Sequence, residues 1–206
     1  MTFAIALMLL GQAAAPDVAA TRQLFEAGQY EQTVAIALDD ASAPSLIYLV
    51  AQSHDRLKRE PAARETYARL AGRPETDPWH HVGRSALLLL DARPGPPDAP
   101  PAATVAQAVA AAERASTLTP AIPEAKYQLG LSEAERRDYG KAAPAFEAAI
   151  ALDPQPAYAH YFAGLSYYQV KRIDLMARYF ESFLTLAPNA PERAQVESIM
   201  RTVRGR

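Results

Sequence analysis

Residues 123–156, PEAKYQLGLSEAERRDYGKAAPAFEAAIALDPQP, and residues 157–190, AYAHYFAGLSYYQVKRIDLMARYFESFLTLAPNA, decide the fold of this chain. Laid over one another without a gap, they agree at ten of 34 positions. Tyr127 falls on Tyr161, Gly130-Leu131-Ser132 on Gly164-Leu165-Ser166, and Phe146-Glu147 on Phe180-Glu181. Leu152 and Pro154 fall on Leu186 and Pro188. The same step backwards puts Glu113, Leu118 and Pro120 on Glu147, Leu152 and Pro154. An alanine-rich chain produces chance alanine matches, but not Gly, Phe, Leu and Pro in order at one period.

The residue types have a physical logic. Glycine or alanine in a first helix lets its partner pack against bare backbone. A large residue on the second helix, Phe146 or Phe180, fills the space between units. The closing proline forbids the residue before it from staying helical, and the next helix starts without loss when proline takes its first position. Composition agrees. Half of the residues are apolar, dominated by alanine rather than β-branched residues, which favours closely packed helices over sheet.

A 34-residue helix–turn–helix unit with this pattern resembles the tetratricopeptide repeat. The resemblance implies an all-α, right-handed superhelical α-solenoid of antiparallel helical hairpins. Looser copies extend it upstream. Trp79-His80-His81-Val82-Gly83 matches the opening of the family pattern, with Asp77-Pro78 ahead of it as N-cap and first-turn proline. The run RPGPPDAPPA at 93–102 is a proline-rich inserted loop inside that repeat, before a helix at 103–118. Residues 46–57 and 61–70 form another pair, with Ala51, Ala63 and Tyr67 in the small, small and large roles. The earliest pair is 17–27 and 30–40, joined by Gly28-Gln29-Tyr30 and lacking a bulky residue on its second helix. The expected repeats are 16–43, 44–75, 76–122, 123–156 and 157–190. A polar capping helix at 191–204 covers the last apolar face.

Residues 1–15, MTFAIALMLLGQAAA, read as an export signal cleaved after Ala13, with Gly11 and Ala13 as its small positions. The run is too short to span a membrane, which needs ~20 apolar residues. No Lys or Arg precedes it, so a docked N-terminal helix of a cytoplasmic protein is the alternative. A periplasmic or secreted location is expected.

Net charge is −2, without a basic run, so no nucleic-acid partner is expected. Cysteine is absent, which removes disulfides, thiolate metal sites and a cysteine nucleophile. No Gly-x-Ser-x-Gly, Walker loop or dinucleotide fingerprint is present. His80 and His81 point about 100° apart on a helix and do not chelate one ion by themselves. No enzyme activity, cofactor or metal is expected, and the serines of the two Gly-Leu-Ser triplets are structural.

The resemblance places the first helix of each pair on a concave face that holds a peptide or protein partner. The groove residues by spacing are Tyr158, Tyr161, Phe162, Leu165, Tyr168 and Gln169 in the last repeat. The repeat before supplies Glu124, Tyr127, Gln128, Leu131 and Glu135. Asp77, His80, His81, Arg84 and Leu88 come from the third, and Tyr48, Gln52 and Arg56 from the second. Seven of ten tyrosines lie between Tyr127 and Tyr179. Tyr161, Phe162 and Tyr168 are assigned to an aromatic binding wall, Tyr167 and Tyr179 to packing between hairpins. The Lys, Asn and Arg of the carboxylate-clamping subset of the family are missing, which argues against that subset. The alternative role is a structural subunit assembling through its convex face and cap.

Overall fold

A first-turn proline opens four of the described helices, and a left-handed residue closes four. A computed structural model describes residues 17–93 and 102–205. The expected signal with its cut after Ala13, and residues 94–101 of the proline-rich loop, lie outside the described residues. In chain order the helices are α1 (Val18–Glu26), α2 (Tyr30–Val34), α3 (Pro44–Arg56), α4 (Glu60–Ala71), α5 (Pro78–Asp91) and α6 (Ala102–Leu118). They continue with α7 (Pro123–Glu135), α8 (Tyr139–Leu152), α9 (Ala157–Gln169), α10 (Ile173–Leu186) and α11 (Arg193–Arg204). There is no strand among the described residues.

Local chemistry sets these boundaries. Pro44, Pro78 and Pro123 occupy first-turn positions, where a missing N–H costs nothing. The Asp77 carboxylate accepts from Trp79 N at 2.9 Å, and Asp138 caps α8 through Lys141 N. α6, α8 and α10 all stop at the repeated leucine, two residues before the repeated proline. Inside four hairpins the turn residue is left-handed: Gly28, Lys58, Arg137 and Lys171, with φ of 60° to 73°. Each donates to the carbonyl three residues back, and the following residue donates five back, as Arg172 N does to Tyr167 O at 2.9 Å. This pair of hydrogen bonds satisfies carbonyls that the helix end would otherwise orphan.

The helices form five antiparallel pairs, and each second helix packs on the first helix of the next pair. The Gly–Phe rule is visible in space. A Cβ on Gly130 would stand 2.6 Å from the Phe146 ring, and one on Gly164 2.5 Å from Phe180. Phe146 also stacks on Phe162 of the next repeat at 5.7 Å, linking the two units. In the third pair Gly83 is used differently. Its Cβ would meet Ala71 N of α4 at 2.6 Å, so here one backbone lies on another. The triplet serines donate to carbonyls four residues back, Ser132 to Gln128 O and Ser166 to Phe162 O. Tyr167 and Tyr179 stack with planes 7° apart between α9 and α10, where Tyr179 donates to Glu147.

Two elements differ from expectation. α2 has five residues, not the eleven of 30–40. β-Branched Thr33, Val34 and Ile36 are weak helix formers. Beyond them, the Ser42 hydroxyl bonds Asp39 at its backbone N–H and its carboxylate, drawing the chain into a turn. The cap starts at Arg193, because Pro191 and Glu192 belong to the preceding turn. Val196 and Met200 bury its inner face.

Candidate functional site

The first helices of the second, third and fourth pairs meet through a buried polar relay. Tyr48 donates to Gln128 Oε1 at 2.7 Å, and Gln128 Nε2 donates to Ser85 at 3.3 Å. Ser132 spends its proton on Gln128 O, so Ser85 donates to Ser132 at 3.0 Å. Every member is satisfied, so the relay holds α3, α5 and α7 in one register.

Beside the relay lies a cavity of about 330 Å³. Tyr67, Tyr127, Leu131 and Phe162 give it apolar walls, and Gln52 and Gln128 line it with amides. Its mouth opens where α3, α5 and α7 end, at exposed Lys58, Arg93 and Glu135. Arg93 grips Asp55 with both guanidinium nitrogens, a planar two-bond pairing. Burial pushes the Tyr67 and Tyr127 phenols above their ordinary value, so both stay protonated. They offer hydrogen bonds and apolar surface, not a base.

The other end of the lumen is shut. α1 and α2 pack on α3 more sparsely than the later pairs pack on one another, and they also reach the last repeat. Phe25, 2% exposed, meets Tyr158 edge to face at 5.4 Å. Tyr158 donates to Glu192 at 2.7 Å, which leaves Tyr30 to donate to Tyr158, also at 2.7 Å. Glu192 takes Arg56 on its second oxygen at 2.6 Å, and the same guanidinium lies 4.3 Å over the Tyr158 ring. Arg22 pairs with Asp153 at 2.5 Å and Glu124 at 3.5 Å. Glu26 accepts from Ala157 N at 3.1 Å, capping α9 where Pro156 has no side chain to do so. Its other oxygen is buried without a partner, and burial raises its carboxyl to about 8. Gly28 is required here twice over: its φ is +73°, and a Cβ would stand 3.0 Å from Pro191 Cδ. A pocket of about 40 Å³ behind Phe25 is what remains of the lumen at this end.

The structure therefore divides the expected groove residues. Tyr127, Gln128, Leu131 and Phe162 line the cavity. Tyr158 and Tyr161 do not face an open groove: they are 2% and 6% exposed, covered by the first hairpin and by the cap. Leu165 is half-buried against the core. Tyr168 stands apart, exposed like Val170 and Ile173, and with Ile173 it lines a depression beside Val203 of α11. His80 and Arg84 lie off the cavity. Gly83 must face α4, and this turns Ala86, Leu89 and Leu90 inward instead. His80 and His81 bind carbonyls of the preceding loop, at Arg73 and Glu75. Among the described residues no group of three His, Asp or Glu is placed to hold a metal ion, and no helix is long and apolar enough to cross a membrane. Sequence spacing missed Arg22, Glu26, Tyr30, Asp55, Arg93 and Glu192. They sit at helix ends or in the aberrant first pair, and no local signal marks them.

A family model for the tetratricopeptide repeat matches residues 102–155 and again 127–191. Residues 102–191 of the chain belong to the tetratricopeptide-repeat family. The solved structure of a thermophilic tetratricopeptide-repeat protein from Thermus thermophilus is similar over 88% of this chain and 95% of that one, with 18% identity and a TM-score of 0.63. At that identity the likeness concerns the fold. YrrB, described as a tetratricopeptide-repeat protein with an unusual peptide-binding site, matches 88% of this chain and 90% of its own at 18% identity and a TM-score of 0.49. MamA matches 81% and 91% at 19% and 0.45. No curated protein sequence matches the chain significantly. Tetratricopeptide-repeat proteins are in general non-catalytic interaction modules, and this chain is one of that fold.

Proposed function

We propose that this protein is a non-catalytic scaffold that holds a segment of a partner protein at the open mouth of its lumen. The observation that carries the reading is the cavity itself. It has room for one or two large side chains, aromatic walls, amides for backbone hydrogen bonds, and a charged rim of Lys58, Arg93 and Glu135. Aromatic walls supply contact area at low entropic cost, and the rim sets orientation. The test is capture of partners from the native organism by the wild-type chain and by Phe162→Ala combined with Lys58→Glu. The reading expects the double variant to lose those partners while circular dichroism stays helical. Undiminished capture would move the interaction elsewhere.

We also propose export to the periplasm or cell surface through residues 1–13. Secreted protein whose mass begins at Ala14 supports this; cytoplasmic protein retaining Met1 does not. A second reading, a structural subunit that assembles through its cap, is favoured by the exposed cluster Tyr168, Val170 and Ile173. If it holds, Tyr168→Lys lowers the mass measured by light scattering on a sizing column.

A further inference from the structure

We propose that the hairpin α1–α2 is a displaceable gate, an intramolecular occupant of the lumen held against α9 and Glu192 by a seam of polar contacts. Four observations carry this.

The seam joins parts of the chain far apart in sequence through side chains, while the helix backbones of α1 and α9 do not pack broadly on one another. This differs from the repeat-to-repeat interfaces, where helix lies on helix. The seam is also mostly charged or hydrogen-bonded: Arg22 to Asp153 and Glu124, Glu26 from Ala157 N, and Tyr30 to Tyr158, which Glu192 holds in turn. Its ionic partners keep 17% to 23% of their side-chain surface in water, so salt weakens them, though less than it weakens an exposed pair. Phe25 against Tyr158 is its one aromatic contact to the last repeat.

Closure leaves a defect. One Glu26 oxygen is buried with no partner, a cost that opening would relieve by admitting water. Buried atoms without a partner also occur in the stacked repeats, at His54, His80, Ser116 and His160, but Glu26 is the one that the seam itself covers.

Finally, the gate separates two spaces that are otherwise continuous. Gln52 and Tyr127 line both the open cavity and the 40 Å³ pocket behind Phe25. Withdrawal of α1 would join them into one groove and uncover Tyr158, a buried ring that sequence spacing assigns to the concave face. Opening is measurable on the protein alone, without a partner.

The chain has no cysteine, so two introduced ones label uniquely. Ala20 on α1 and Ala194 on α11 are exposed. Nitroxides on Ala20→Cys and Ala194→Cys report the seam by pulsed electron–electron double resonance, at about 0.05 M and about 1 M salt. The same pair is measured in the background Arg22→Ala with Glu192→Gln. Hydrogen exchange on the unlabelled chains accompanies it. The expected result is one short distance at low salt, and a longer population that grows with salt and dominates in the seam variant. Amides of residues 18–34 should exchange at least tenfold faster in that variant, with α7–α10 unchanged. A single unshifted distance in all conditions overturns the proposal. So does uniform loss of protection from α1 to α10, which would make the seam part of one cooperative fold. If the seam variant loses its helicity, the salt series on the labelled wild-type background decides alone, by the same two distance outcomes.

Discussion

In the last two repeats each bulky ring lands on a glycine of its own hairpin, whereas in the first hairpin Phe25 and Tyr30 land on Tyr158, 128 residues beyond Tyr30. The first arrangement is local and repeats with the 34-residue period. Its stability is a sum of unit and neighbour terms, as in other solenoids. The second is a single long-range event, made of side chains that follow no period. Stacking and closure are therefore separate layers of information, and substitutions should tell them apart.

The largest difference is expected from the matched pair Phe180→Ala and Phe25→Ala. Phe180 is fully buried at the centre of a periodic layer, so its removal should cost about 3–5 kcal/mol in global urea unfolding. Phe25→Ala should instead speed amide exchange in residues 18–34 and move the global midpoint much less. Equal shifts of the global midpoint would erase the distinction.

Next comes pH. The Glu26 carboxyl is raised to about 8 from 4.5, chiefly by burial, with Arg22 and Arg56 opposing. Below about 4.5 it is protonated both folded and unfolded and contributes no pH dependence. Between 4.5 and 8 the folded chain holds the proton more tightly, so stability falls as pH rises and levels off above 8. The groups facing it from other elements are Tyr30, Arg56, the backbone of Ala157 and Tyr158 and, across the small pocket, Glu124, which burial raises with the same sign. The difference between wild type and Glu26→Gln isolates the one carboxyl. Urea titrations from pH 5 to pH 8 should show wild type losing on the order of 3 kcal/mol relative to that variant. Parallel curves would mean that Glu26 is not held in the closed seam.

Glycine substitutions sharpen the contrast within the stack. Gly83→Ala drives a methyl into the α4 backbone, whereas Gly164→Ala meets a ring that is able to tilt. The first should cost about 2–3 kcal/mol and the second about 1 kcal/mol by thermal or urea unfolding. The smallest effect is a gain. Lys58, Arg137 and Lys171 hold φ near 60° in their turns, and glycine at Arg137 or Lys171 should stabilise by up to about 1 kcal/mol. Lys171→Gly raising the midpoint while Gly28→Ala lowers it would confirm that both turns need the same backbone.

The stack was legible because its signals are local. Gly130, Phe146 and Pro154 each act within their own unit, and a shift of the sequence against itself finds them. The α5 face was not, because the sequence does not say that Gly83 serves α4 instead of a ring of its own hairpin. Ala112 stands at the position equivalent to Phe146, and that substitution is the trace of the change. The length of α2 depends on Asp39 and Ser42 competing for backbone, which periodicity cannot weigh. Closure was the least legible. Whether Tyr30 reaches Tyr158 depends on a rotation per repeat accumulated over four units, and a small error in each becomes a miss of many ångströms. For the same reason Tyr158 and Tyr161 were assigned correctly to first helices, but not to the surfaces that cover them.

The Tyr30–Tyr158–Glu192 contact has a consequence for how such a chain can grow. An open solenoid gains or loses a 34-residue unit without disturbing either end, which is why repeat arrays vary freely in length. Here one additional hairpin would rotate Tyr158 and Glu192, still bonded to each other, away from Tyr30 and Arg56, which would lose their partners. Duplication of a unit, the ordinary route by which repeat families diversify, is closed to this chain unless the first hairpin is lost or rebuilt in the same step.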